Sequence, residues 1–291
     1  MHIIDTTTYF EEDLMMDLRF NILDKFVDKF IICEARFTHS GKEKEIKFKK
    51  KKFPKFEEKI NHIIIDKEPD GLIKKKNLNN QELRQNSILR IKEQRNFLGH
   101  YLQDYSPEDY ILHSDNDEIP NLNHFDFRKN KKKIIIFNQL LFYYKFNLIL
   151  PNVNWYGTKA CKIKHLHNID LLRSIKNKKY PLYRLDILFS KIKFNSIEVV
   201  NKGGWHFSNL KNAEALEKKY LNDENHSEYE LRNYSINRIR ENLINKTIDY
   251  NHKAKKNSSN RFMPTKLEKT DLKILPLYLR DNYEKYSNWF D

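Results

Sequence analysis

Four short apolar runs mark the first 115 residues, and segments of helical period separate two pairs of them. HIID (2–5), FVDKFIICEA (26–35), HIIID (62–66) and DYILHSD (109–115) each read as a buried strand. Between the first two, FEEDLMMDLRFNILDK (10–25) sets Leu14, Leu18, Ile22 and the following Phe26 at helical spacing, with acids at its start where they suit the helix dipole. From Asn80 to Gln103, Leu83, Ile88, Ile91 and Leu98 recur among polar residues, and Pro107 stops any continuation. Strands that alternate with helices predict an α/β fold with a mainly parallel central sheet covered on both faces. Ligands of such sheets bind beyond the carboxyl ends of the strands.

Later in the chain, KIIIFNQLLFYYKFN (133–147) reads as a strand and precedes a loop rich in Asn and Pro. VVNKGGWHFS (199–208) reads as a strand running into a glycine turn. The last eighty or so residues are polar and are expected to be helical, with a loop at SSN (258–260) and a closing aromatic-rich helix over 276–290. No repeat of 20 to 50 residues is visible.

The 291 residues suffice for a substantial core, and 13% aromatics offset a hydrophobic fraction of only 39%. The formal charge is +14, carried by Lys far more than Arg. Bidentate phosphate recognition favours Arg, so the excess reads mainly as a solvated lysine surface. The densest stretch, 42–59, interleaves Glu43, Glu45, Glu57 and Glu58 among its lysines. That argues against a nucleic-acid-binding module, the reading from another functional class, and no RNP-like or zinc-finger pattern accompanies it. No nucleic-acid partner is expected; peripheral membrane contact through 42–59 is the functional alternative to a solvated face. Cys33 and Cys161 lie far apart and form no metal or disulfide framework; Cys33, within FIICEA, reads as core. Asp5, Glu11, Glu12 and Asp13 interrupt any secretory signal, and the longest apolar run, IIIFNQLLFYY, carries Asn138 and Gln139. A cytoplasmic location, with or without membrane contact, is expected.

YILHSDNDEIP (110–120) gathers Asp115, Asp117 and Glu118 at the end of a strand. An EF-hand loop is excluded, because Ile119 and Pro120 stand where a ligand and a glycine are required. A two-carboxylate glycosidase fits poorly, because the adjacent Asp117 and Glu118 point to opposite faces of an extended segment. An ordinary solvated turn remains, as does a site for a cation and a diphosphate. Carboxylates at i and i+2 project the same way from an extended strand end and supply hard oxygen ligands. In GGWHFS (203–208), two glycines free the backbone before Trp205 and His206; the histidine is either packed in a turn or completes the Asp-x-Asp site.

These stretches, taken in order, resemble glycosyltransferase family 17. DLMMDLRFNILDKFVDKFIICEARFTHSGKEKEIKF (13–48) resembles the family's opening, SDNDEIP its D-x-D-E-I-P motif and GGWHFS its G-W-H-x-S motif. NHSEYE (225–230) is similar to a His-x-Glu-aromatic stretch, and LPLYLRDNYEKYSNWF to the family's carboxyl end. The resemblance implies a GT-A-like nucleotide-sugar transferase fold with a helical C-terminal part. The whole chain would form one glycosyltransferase domain, with 1–125 as the nucleotide-sugar half and 126–291 as the acceptor half. It implies an inverting transfer to a glycan acceptor from a UDP-sugar donor, UDP-N-acetylglucosamine foremost, with Mn²⁺ or Mg²⁺ as cofactor. Another nucleotide sugar, used in lipopolysaccharide or capsule synthesis, is the alternative within the same fold. Residues 150–200 depart from the family pattern, so no acceptor is implied.

On this reading Asp115 and Asp117 hold the metal and His206 is a third contact to metal or diphosphate. Glu118 and Glu228 are the candidate bases, Glu118 being alternatively a support that orients Asp117 or a lysine, and Asp186 and Glu198 rank below them. Glu34, at the end of the second strand, is expected at the uridine. Arg95 and Asn96, favoured over Arg90, are expected at the diphosphate or donor sugar, and Trp205 lies with the nucleotide-sugar contacts.

Overall fold

The computed structural model describes residues 1–291 apart from 179, 182, 188, 232, 233 and 253–262. The loop read at SSN (258–260) lies outside the described residues. The elements run β1 (Ile3–Thr8), α1 (Asp13–Leu23), β2 (Lys29–Ala35), β3 (Ile60–Ile65), α2 (Asn80–Phe97), β4 (Tyr110–His113), β5 (Glu118–Pro120) and β6 (Ile134–Tyr143). They continue with β7 (Leu148–Ile149), β8 (Trp155–Lys162), α3 (Ile169–Ser174), β9 (Ile197–Val200), β10 (Gly204–Ser208), α4 (Ala213–Tyr220), α5 (His226–Leu231) and α6 (Ile236–Asn245). Three two-residue strands, β11 (Thr247–Ile248), β12 (Thr265–Lys266) and β13 (Glu268–Lys269), precede α7 (Leu277–Asp281). The result is a mixed α/β protein built on one large sheet.

The sheet runs β13-β7-β6-β8-β4-β1-β2-β3, with β9 and β10 also paired to β6, and β5 to β10. The expected parallel pairing holds for β4-β1-β2-β3. It breaks at β8, which lies antiparallel to both β4 and β6, although β9 and β10 again pair parallel with β6. The connection from β6 to β8 has no crossover helix, and a chain returning without one pairs antiparallel. β8 itself occupies sequence read as following a plain loop.

Alternation along the strands makes two cores. On β2, Phe30 and Ile32 face one side, and Ile31, Cys33 and Ala35 the other. Met15 and Leu18 of α1, with Leu279, Tyr286 and Phe290 near the carboxyl end, cover the first side. Leu98, Leu102 and α3's Ile169 and Leu172 cover the second. Each such side chain contributes about 1.5–3 kcal/mol by leaving water. Burial also pushes the Cys33 thiol up, as suits a core residue. A third cluster packs Leu216 of α4 and Ile239 of α6 against Leu141 and Leu148.

Two helical expectations change. The closing stretch is not one helix: α7 ends at Asp281 and a 3-10 turn covers Glu284–Trp289. There the Tyr286 hydroxyl donates to Asp17 of α1 at 2.7 Å, a tertiary anchor that outweighs continuation of the helix. α2 buries a polar face, Asn86, Ser87, Arg90 and Gln94, instead of its leucines. The helix packs against β1, β2 and α3, and its buried polar face meets the loops beside them. Asn86 exchanges hydrogen bonds with the Ile73 backbone at 2.8 and 3.0 Å, and Arg90 reaches Glu68 and the His39 carbonyl. An Asn79–Glu82 capping box starts the helix.

In segment 42–59, Phe48, Phe53 and Phe56 enter the core, while Lys44, Lys52, Lys55 and Lys59 pair with acids. No helix among the described residues is long and apolar enough to cross a membrane.

Candidate functional site

A cleft of about 400 Å³ opens where β1, β2 and β4 end. Thr8 ends β1 and Tyr9 and Phe10 follow it, Phe37–His39 follow β2, and Asp115–Asp117 follow β4. Glu12, Lys44, α2's Ile91, Gln94 and Arg95, Trp155, His206, Lys219 and Asn222–Asn225 complete the lining.

The chain turns at 116–117 instead of staying extended, so the two aspartates part. Asp115 lies between two guanidiniums, 2.7 Å from Arg173 and 3.2 Å from Arg95. Burial would raise its carboxyl, but the Arg173 and Arg95 charges outweigh burial and hold it well below the ordinary range. Asp117 turns to the other side, its Oδ1 3.2 Å from His206 Nε2 and its Oδ2 3.8 Å from Lys219. Burial again works upward, and His206 and then Lys219 bring the carboxyl below its ordinary value.

β10 delivers His206. It pairs antiparallel with β5, setting His206 opposite Glu118, and parallel with β6. Both glycines of the preceding turn are sterically required. A Cβ on Gly203 would meet the Val200 carbonyl at 2.5 Å, and one on Gly204, at φ +135°, the Ile119 carbonyl at 2.2 Å. The His206 ring lies tilted against Trp155 at 4.5 Å, and its Nδ1 is buried with no hydrogen-bond partner among the described residues.

Glu118 is fully buried, and both its oxygens are engaged. Arg173 grips it in bidentate fashion at 2.5 and 2.9 Å, Trp155 Nε1 donates at 2.7 Å, and the Asp115 N–H donates at 3.1 Å. Arg173 also donates to the Gly157 carbonyl. A side chain at 157 would collide with Gln139 Oε1 at 1.8 Å and with the Glu118 carboxyl carbon at 2.9 Å.

The structure therefore brings Asp115, Asp117, Arg95 and His206 together at the cleft. The other expected residues lie elsewhere. Glu34 is fully buried and holds the 44–48 loop through Lys44 and the N–H groups of Lys47 and Phe48. Asn96 accepts the Asp170 N–H at 3.1 Å, at the start of α3. Trp205 points into the core and donates to the Ile274 carbonyl, because alternation on β10 sends it opposite to His206. Glu228 sits on α5, outside the cleft lining, and Asp186 pairs at the surface with Arg184 and Lys193. Sequence reading missed Trp155, Arg173, Lys219 and Asp223. For Trp155 a signal existed: WYGTKACK has strand composition with a glycine where close approach is needed.

The pair Asp117–His206 suits a divalent ion. Neighbouring ligands of an octahedral ion with bonds of 2.0–2.1 Å stand about 3 Å apart, close to the separation seen here. Among the described residues no group of three or more His, Cys, Asp or Glu side chains is placed to hold one. Two protein ligands suit an ion that arrives with a diphosphate and water filling its other positions.

The sequence model of glycosyltransferase family 17 matches residues 1–171 of the chain. No curated protein matches. Among solved structures, HddC from Yersinia pseudotuberculosis complexed with GMP-PN is 10% identical, with a TM-score of 0.29, covering 69% of this chain and 90% of that one. A second HddC structure gives 11%, 0.30, 70% and 92%. Overlaps of that size carry no argument about fold or ligand.

Proposed function

Because the chain belongs to glycosyltransferase family 17, we propose that it transfers a sugar from a nucleotide diphosphate donor to a glycan hydroxyl in one inverting displacement on a GT-A-like fold. The observation that carries this is the Asp117–His206 pair at the edge of a cleft where parallel strands end, with Arg95 and Lys219 beside it. The donor favoured is UDP-N-acetylglucosamine.

Asp117 and His206 would hold Mn²⁺ or Mg²⁺ together with the diphosphate. When bound, that ion would neutralise charge gathering on the leaving group. Arg95 and Lys219 add positive charge to the same region. The acceptor oxygen bonds to the anomeric carbon as the bond to the diphosphate breaks, and the electron pair departs with UDP. Asp115 and Glu118 act as supports: both are bound to Arg173, and Glu118 has no free oxygen facing the cleft. Thus Glu118 orients the Asp-x-Asp turn, while the base lies elsewhere.

The test is UDP or GDP release from a panel of nucleotide sugars with Mn²⁺. Metal-dependent release from UDP-N-acetylglucosamine, reduced at least 100-fold by Asp117→Ala, is expected. Release that is indifferent to metal and to Asp117→Ala would contradict the assignment.

A further inference from the structure

Five carboxylates line the cleft, and four are committed. Glu12 accepts the N–H groups of Phe10 and Glu11, both at 2.9 Å. Asp115 lies between Arg95 and Arg173, Asp117 faces His206 and Lys219, and Glu224 pairs with Arg84 at 3.1 Å. Asp223 differs. Its Oδ1 accepts the Asn225 N–H at 2.7 Å, and no ion pair engages it among the described residues.

Asp223 stands on the turn between α4 and α5. The same helix α4 carries Lys219, whose ammonium is 3.8 Å from Asp117. The turn is pinned to the N-terminal half: the Ser40 N–H donates to the Asn222 carbonyl at 3.3 Å, and Glu224 binds Arg84 of α2. The carboxylate is thus held in the cleft of the metal pair with one oxygen uncommitted.

On the transferase reading above, we propose that Asp223 is the general base that takes the proton of the attacking hydroxyl. The oxygen–carbon bond to the sugar forms, the carbon–oxygen bond to the diphosphate breaks, and the proton passes to Asp223. The environment suits the task. Burial raises this carboxyl to about 6; the Asn225 N–H and Lys219 oppose that, and Glu224 and Glu228 add to it. A base poised near the working pH is the effective kind.

The experiment uses water as the acceptor: hydrolysis of UDP-N-acetylglucosamine by the full chain with Mn²⁺. Asp223→Asn is expected to lower kcat about 10²–10⁴-fold while UDP–Mn²⁺ affinity by calorimetry stays within about two-fold. The acid limb of the wild-type kcat profile, with a midpoint near 6, should be absent from the residual rate. Asp223→Glu should recover part of the rate. An unchanged kcat in Asp223→Asn, or an acid limb that persists at the same midpoint, overturns the base assignment and leaves the donor reading standing. A wild-type protein that releases no nucleotide from any sugar donor overturns the donor reading, and the base with it.

Discussion

Glu118 and Asp115 share one guanidinium, and that sharing decides what each can do. Arg173 is only 12% exposed and Glu118 is fully buried, so neither charge has water to fall back on. Removing one partner of such a pair leaves the other uncompensated. Arg173→Ala should lower unfolding free energy by about 3–5 kcal/mol in urea titrations. Arg173→Lys keeps a charge but not the fork. It should fold and yet lose roughly 100-fold in kcat through a displaced Asp-x-Asp turn. Asp223 carries the opposite sign. Its folded carboxyl holds its proton more tightly than the unfolded chain's 3.8, so its contribution to stability falls as pH rises from about 4 through about 6. Asp223→Asn should remove that slope and leave Tm at pH 7 equal or higher, which scanning calorimetry reads directly. At this scale the gathering of Asp115, Asp117 and His206 at one cleft was legible from their motifs. Arg173, which binds both Asp115 and Glu118, was not, because it lies 55 residues beyond Glu118 in a stretch without a recognisable pattern.

Elements position these residues through buried polar contacts as well as through apolar packing. Arg19 of α1 is fully buried and grips Asp5 of β1 with two bonds of 2.6 Å, while its third donor holds the Glu118 carbonyl at 2.7 Å. The first helix, the first strand and the start of β5 are locked together behind the cleft. Arg19→Ala should cost about 3–5 kcal/mol, again by stranding a buried carboxylate. α3 has only six residues, and its last carbonyls are held by Lys159, which donates to Arg173 and, at 2.6 Å, to Ile175. That clamp fixes the helix that carries Arg173. β1, α1, β2, α2 and β4 were legible from apolar period. The buried polar face of α2 was not, since period reports a helix without saying whether it lies on a core or on loops.

Over the whole molecule, residues from Ile3 to Phe290 share one apolar cluster, so the carboxyl end covers the sheet that the amino end builds. The parallel half of the sheet was predictable from alternating elements, and the antiparallel return through β8 was not. The cleft joins the two ends of the chain: strand ends and α2 form one wall, and His206, Lys219 and Asp223 form the other. Neither wall alone holds both Asp117 and His206, so metal and diphosphate binding should depend on each other. Calorimetric titration of UDP with and without Mn²⁺ tests this most directly. Weak binding of either alone, at least tenfold tighter UDP binding when both are present, and loss of that gain in Asp117→Ala and His206→Ala are expected. UDP affinity that is the same with and without Mn²⁺, or a gain that survives both substitutions, would contradict that dependence.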